Sequence, residues 1–287
     1  MISALKASFF AASAAALLTA AAGAASAATL DRVRQDGTLR IAFRQDAPPF
    51  SYKDSNGKAA GYVVDLCRAV AKHLVQQLKL PSLKLAYVPV NAVDRFDAIT
   101  GGKADLLCEA TTATLARRAS VDFSISTFVD GASLMIMPDG PRDLASLAGK
   151  KVGVLGGTTT EEALRNTLAA AKISADVVPA KSHAEGLAML QDGRTVAYFG
   201  DRSILMSLVA EAGDNNKPIL SEAYLTVEPY ALALPRGDEA FRLEVDRALS
   251  HIYRSGEIQG IFESGFGPSI KPSPILQTLY LITGLPD

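Results

Sequence analysis

The sequence predicts an α/β protein of two lobes with a cleft between them. Three observations carry that prediction. Strand and helix patterns alternate along nearly the whole chain, the alternation falls into two similar series, and no low-complexity linker separates them. Repeated strand–helix–strand units favour mostly parallel sheets with helices on both faces. Lobes joined by short strand-like crossings therefore fit better than two beads on a string.

In the first series, residues 38–43 read as a strand, and Pro48-Pro49 and Asn56-Gly57 mark the turns of a short hairpin. Residues 62–78 form a helix because Tyr62, Leu66, Ala69, Val70, Leu74 and Leu78 fall on one face. A strand at 84–90, a short helix at 94–100 and a strand at 104–108 follow. An apolar strand at 133–137 ends at Pro138-Asp139-Gly140-Pro141, and the second series begins there. It comprises strands at 151–155, 175–178 and 196–199, with helices at 159–171, 182–191 and 203–212. A strand at 230–234 and helices at 238–255 and 257–263 complete the pattern. The tail from Pro268 contains Leu276, Leu279, Tyr280 and Leu281, which are costly to leave in water, so it is expected to pack.

Residues 1–27 stand apart. Lys6 is their only charge, an Ala-rich apolar run follows from Ala7 to Ala22, and Ala25-Ser26-Ala27 supplies small residues for a signal peptidase. Cleavage after Ala27 leaves 28 basic and 30 acidic residues, a balance that gives no footprint for nucleic acid or anionic membranes. The expected product is an exported, periplasmic, soluble chain. Its two cysteines, Cys67 and Cys108, are too few for a zinc site and match no redox spacing. A disulfide and two buried thiols are both open for them.

Ligands of open α/β sheets bind beyond the carboxyl ends of the strands. Arg44 follows the first strand, Arg95 starts the helix after the second, and Glu109-Ala110-Thr111-Thr112 follows the third, with Arg117 five residues on. In the second series Gly156-Gly157-Thr158-Thr159-Thr160 leads into a helix, while His183 and Asp201 follow later strands. Each strand end thus offers a polar group suited to a small charged solute. Arginine grips a carboxylate through a bidentate fork, but the residues alone leave Arg117 and Arg118 equivalent. The Gly-Gly-Thr-Thr-Thr run suits an anion at a helix N-terminus and equally a plain Thr cap; it lacks the lysine of a phosphate-binding loop. Asp201 reads either as an ammonium partner or as a helix cap, and His183 reads as a cap or surface residue. His73 and His251 read as structural. No motif for nucleophilic, metal or paired-carboxylate catalysis stands out, so no cofactor, metal or catalytic residue is expected.

Several ordered markers resemble a known family. They are Gly37-Thr38-Leu39-Arg40-Ile41, Pro49-Phe50-Ser51-Tyr52, Gly61-Tyr62-Val63-Val64-Asp65-Leu66 and Asp105-Leu106-Leu107. Further on come Thr111-Thr112 with Arg117, Val121-Asp122-Phe123-Ser124, Leu147-Ala148-Gly149-Lys150-Lys151-Val152, Gly157-Thr158-Thr159 and Ser255-Gly256-Glu257. From about Thr38 to Phe266 the chain resembles the bacterial extracellular solute-binding proteins of family 3, receptors of polar amino-acid ABC importers.

The resemblance implies an α/β type II periplasmic-binding-protein fold, two αβ lobes joined by two crossing segments with a ligand cleft between them. Lobe 1 is then 29–130 plus 228–287 and lobe 2 is 131–227. It implies that Arg117, helped by Thr112, Thr158 and Thr159, binds an amino acid's α-carboxylate, and that Asp201 takes its ammonium. The chain looks closest to the glutamate/aspartate-binding branch, which implies that Arg44, Arg95 and His183 read the side chain. The implied partners are a small-molecule amino acid and the membrane permease subunits of an importer, with the chain itself a monomer. Ala92 and Ala110 depart from that branch by lacking hydroxyls, each a lost hydrogen bond on the order of 1 kcal/mol net. Glu109 replaces a small residue and, facing the cleft, would repel an anionic side chain. A neutral polar amino acid is therefore the competing ligand. A dehydratase-like enzyme on the same fold, with Glu109 as acid or base, and a sensory co-receptor are the rival functions.

Overall fold

The computed structural model describes residues 28–214, 216–222 and 224–286. The expected signal peptide lies outside the described residues. The chain begins with α1 (Ala28–Asp36), β1 (Thr38–Arg44), β2 (Asp46–Ala47), β3 (Ser51–Lys53), β4 (Ala59–Ala60) and α2 (Tyr62–Gln77). It continues through β5 (Lys84–Val90), α3 (Arg95–Thr100), β6 (Leu106–Leu107) and β7 (Val121–Asp130). Next come β8 (Ala132–Ile136), β9 (Lys151–Leu155), α4 (Thr159–Ala170), β10 (Asp176–Ala180) and α5 (His183–Gln191). After them follow β11 (Ala197–Asp201), α6 (Arg202–Glu211), β12 (Ile219–Leu220), β13 (Glu228–Pro235), α7 (Glu239–Ser255), α8 (Glu257–Phe266) and α9 (Pro274–Thr283).

These strands build two five-stranded sheets, ordered β5-β1-β6-β13-β7 and β10-β9-β11-β8-β12. In the first, β1 pairs in parallel with β5 and β6, while β13 runs antiparallel to β6 and β7. In the second, β9 pairs in parallel with β10 and β11, while β8 runs antiparallel to β11 and β12. One strand in each sheet therefore runs against the other four, and it is the strand that follows a crossing between the sheets. The hairpin expected around Pro48 and Asn56 is part of a small third sheet, β2-β3-β4.

Apolar periodicity explains the layers. Leu66, Val70 and Leu74 of α2 pack with Leu39 and Ile41 of β1, and Leu164 and Leu168 of α4 pack with Val152, Val154 and Phe199 of the second sheet. Each such side chain taken fully from water contributes about 1.5–3 kcal/mol. An edge-to-face cluster centred on Phe50, with ring centroids 4.9 Å from Phe128, 5.3 Å from Tyr230 and 5.6 Å from Phe266, joins the small sheet, β7, β13 and α8.

Two chain segments pass between the sheets side by side. Gly131 lies in one, where a Cβ would come within 2.5 Å of the Thr226 carbonyl oxygen in the other. Ala132 N donates to Thr226 Oγ1 at 2.8 Å, and Leu225 N donates to the Ala132 carbonyl at 2.8 Å. A side chain at position 131 would force the strands of this double crossing apart.

The structure departs from the sequence reading at three places. Strand β7 was not expected: its burial does not alternate, because register shifts against β13 between Tyr230 and Ala233 break the period of two. Helix α1 was also missed, being polar apart from the buried Leu30 and Val33. The tail does pack, but only in part. Leu276 and Tyr280 are buried while Leu281 is 80% exposed.

Cys67 of α2 and Cys108, just after β6, are joined in a disulfide that spans 41 residues. Closing a loop of that length restricts the unfolded chain by about 4 kcal/mol in the chain-entropy model. Replacing both cysteines by alanine should lower the free energy of unfolding, read from urea denaturation, by that order. An unchanged midpoint would show that the link does not restrain the unfolded chain.

Candidate functional site

Six strand ends meet in one cleft between the two sheets. It encloses about 420 Å³ of empty space, counted with the solvent at its mouth. Arg44, Arg95, Thr112, Arg117, Thr158, Thr159, His183 and Asp201, the residues singled out in the sequence, all line it. The topology explains this convergence: Arg44 is the last residue of β1 and Asp201 the last of β11, while Arg95, Thr159 and His183 are the first residues of α3, α4 and α5. Thr158 caps α4 by accepting Glu161 N at 3.1 Å.

Three arginines line the cleft. Arg44 and Arg95 are almost fully buried. Burial is the main cause that lowers Arg95 to about 10, with Glu109 opposing and the nearby Arg117 and Arg44 assisting. Arg117 is partly buried and Arg118 is exposed, so it is Arg117 that reaches the cleft. Arg117 Nη1 donates to the Thr112 carbonyl at 2.7 Å. Its guanidinium carbon and that of Arg95 each lie 5.0 Å from the Phe96 ring centroid. Burial lowers the Arg117 guanidinium too, against the pull of Glu109, Glu228 and Asp201.

Carboxylates of the chain itself meet these arginines. Glu109, 1% exposed, lies 3.2 Å from Arg95 Nε and 3.8 Å from Arg44 Nη1, and it accepts the Thr111 hydroxyl. The Arg95 contact is an ion pair without hydrogen-bond alignment. Arg95 Nη1 instead donates to the Ala92 carbonyl. Asp46 Oδ1 accepts from Arg44 Nε at 2.9 Å and Nη2 at 2.5 Å. Burial tends to raise Asp46, but Arg44 and His183 outweigh it and hold the carboxyl below its usual range. Asp46 Oδ2 also accepts the backbone N–H of His183 at 3.3 Å, a contact between the small sheet and the first turn of α5.

His183 is neither a surface residue nor a side-chain cap. It is buried, its Nδ1 is 3.1 Å from the Tyr198 hydroxyl, and burial with Arg44 nearby lowers it to about 3, so the ring is neutral at ordinary pH. Tyr198 reaches it because Gly186 leaves room: a Cβ there would overlap the tyrosine ring.

Further carboxylates gather beside Thr112, Thr159 and Thr160. Thr160 Oγ1 donates to Asp201 at 3.2 Å, and Asp201 makes no side-chain cap to α6, so the capping alternative does not hold. Burial first, then Asp130 and Glu228, raise Asp201 to about 7. Glu228 Oε2 accepts from Thr112 Oγ1 at 2.6 Å and from Thr159 Oγ1 at 3.1 Å, and the two threonine hydroxyls are 3.3 Å apart. Thr112 belongs to the first sheet's side and Thr159 to the second, so these contacts close the cleft.

The sequence reading missed Glu228 and Asp46. Glu228 starts an antiparallel strand, so the end it presents to the cleft is its amino end, which a rule about carboxyl ends overlooks. A lone Glu leading into the apolar run of β13 was the available signal.

The model of the bacterial extracellular solute-binding proteins, family 3, matches residues 39–268. The chain belongs to this family. The L-glutamate/L-aspartate-binding protein of Pseudomonas aeruginosa is 33% identical over 246 residues, 85% of this chain and 82% of that protein. Among solved structures, an ancestral arginine-binding protein bound to glutamine aligns with a TM-score of 0.72 and 29% identity, over 80% of this chain and 98% of the other. The ancestral amino acid-binding protein AncCDT-1, a precursor of cyclohexadienyl dehydratase, aligns at 0.73 and 28% identity over 83% and 99%. The family 3 fold here is the expected type II arrangement, with one reversed strand in each of two sheets.

Asp201 gives the site a measurable signature. Its folded value near 7 lies above its unfolded value, so between about pH 4 and 7 the native state holds more protons than the unfolded one. Stability from this group is complete below that window and is lost as pH rises through 7. Asp201→Asn should therefore raise the melting temperature of the unliganded protein more at pH 8 than at pH 5. An equal effect at both values would contradict the shift.

Proposed function

We propose that this chain is the periplasmic solute-binding component of an ABC importer and closes on an amino acid. The observation that carries the reading is the presence of both signs of charge in one narrow cleft. Arg117 and the Thr112 and Thr159 hydroxyls face it as partners for an α-carboxylate, and Asp201 faces it as the partner for an ammonium. A zwitterion fits that pattern as a simple anion or cation does not. The names of the relatives and the disulfide, which suits an oxidising compartment, support the same reading.

In this reading lobe 1 is 29–130 plus 228–287 and lobe 2 is 131–227, and the paired crossings at Gly131 and Thr226 are the hinge. Ligand first meets Arg117, Thr112, Arg44 and Arg95; lobe 2 then brings Thr158, Thr159, His183 and Asp201. Membrane permease subunits recognise the closed form, because the ligand stabilises that state by its differential affinity. The receptor works as a monomer.

Calorimetry on purified protein tests the assignment. Arg117→Ala should weaken every amino acid that the wild type binds by at least about 100-fold, the loss of a buried charge-assisted pair. Wild-type affinity in that variant would remove Arg117 from the site. A thermal-shift screen of the common amino acids identifies the ligand to use, since a solute at 100 times its Kd adds roughly 2.7 kcal/mol.

A further inference from the structure

We propose that Glu109, with Asp46, fills from within the place that a ligand's second carboxylate would take, so that the bound solute is an amino acid with an uncharged side chain. The inference rests on the amino-acid reading above and narrows it. It runs against the ligand named for the Pseudomonas aeruginosa relative.

Arg44 and Arg95 are two buried cations of the cleft, and each already has a carboxylate partner. Glu109 contacts both, at 3.8 and 3.2 Å, and Asp46 takes two donors of Arg44. The two carboxylates balance the two guanidiniums. Arg117 is left for an α-carboxylate and Asp201 for an ammonium, which accounts for a zwitterion and nothing more.

An acidic side chain entering beside these arginines would meet guanidiniums whose charge is already paired, Arg44 through its Nε and Nη2 to Asp46 and Arg95 through the ion pair with Glu109. It would also sit beside the carboxylate of Glu109, which lines the cleft and is 1% exposed, so water does not screen the repulsion. A cationic side chain would meet the same balanced set, Arg44 and Arg95 against Glu109 and Asp46, and would gain no free carboxylate there. The backbone N–H of His183, which could receive an anion at the start of α5, is taken by Asp46. The rest of the lining includes apolar side chains, Ala47, Ala110, Leu155, Phe199 and Ile204. Such a surface suits a small or uncharged side chain.

Glu109 is thus a specificity-determining residue, and its removal should open the cleft to acidic ligands. Titration calorimetry of wild type against alanine, serine, glutamine, aspartate and glutamate is the first arm. An uncharged member should bind at least 100-fold more tightly than either acid. The second arm repeats the titrations with Glu109→Gln, which keeps the side chain's length and an oxygen for Thr111 while removing the charge. The ratio of acidic to uncharged affinity should rise at least tenfold. Asp46→Asn is the companion variant, at a carboxylate 25% exposed and so easier to replace, and should move the ratio the same way.

Wild-type protein that binds aspartate or glutamate as tightly as its best uncharged ligand would overturn the inference while leaving the amino-acid reading intact. A ratio unmoved in the variants that fold would overturn it as well. Wild type that binds none of the common amino acids would overturn the amino-acid reading itself, and this inference with it.

Discussion

Arg44, Arg95 and Arg117 converge where the first sheet ends, and the first two have almost no contact with water. An ionised group buried without compensation costs several kcal/mol even after the protein relaxes. Burial already makes the Arg95 and Arg117 guanidiniums less basic than usual. What makes the cluster tolerable is the placing of Glu109 between Arg44 and Arg95, and of Asp46 against Arg44. Removing one partner of such a set typically costs 3–5 kcal/mol, because the remaining charge stays buried and unpaired. The end of β1, the start of α3 and the end of β6 are therefore held in mutual register by electrostatics as well as by sheet pairing. Everything else at the cleft is built on that register.

Few polar contacts bridge the two sides of the cleft. Thr159 meets Thr112 and Glu228, and the His183 N–H meets Asp46, at 3.1–3.3 Å. Hydrogen bonds of this kind contribute about 0.5–1.5 kcal/mol each net. Against them stands the cost of burying Asp201 and then its repulsion by Asp130 and Glu228, which together raise its carboxyl. Closure poised in this way needs only a modest differential affinity to shift, since about 5.5 kcal/mol carries a two-state equilibrium from 1:99 to 99:1. In the proposed reading, an ammonium arriving beside Asp201 relieves the repulsion and adds a contact in the same step.

How much of this was legible in the sequence depended on which physical rule applied. Positions at the carboxyl ends of parallel strands were found, because the strand pattern and the crevice rule together locate them; Arg44, Arg95, Thr159, His183 and Asp201 are of that kind. Arg117 needed the family resemblance to be told from Arg118, since both sit in a turn without periodicity. Glu228 escaped because its strand is antiparallel, and β7 escaped because its bulged register hides the alternation. Nor could spacing alone show that Cys67 and Cys108 come together, since their approach is set by how α2 packs over β6.

The disulfide bears directly on the cleft. Cys108 immediately precedes Glu109, and its backbone N–H donates to the Ala42 carbonyl of β1 at 2.8 Å. The backbone from which Glu109 rises is thus tied to α2 by a covalent bond and to β1 by a ladder hydrogen bond, while Thr111 fixes the carboxylate itself. Asp46 is held differently. It is partly exposed, and one of its partners, the His183 N–H, lies on the other side of the cleft, so opening releases that contact. The two internal carboxylates therefore divide the work: Asp46 makes and breaks with closure, while Glu109 is a fixed wall. For Glu109 to step aside for a ligand carboxylate, the buried Arg95 would have to give up its ion pair, while Arg44 would keep Asp46. The segment that discriminates between side chains is accordingly the bend after β6, anchored through Cys108 to α2 and β1.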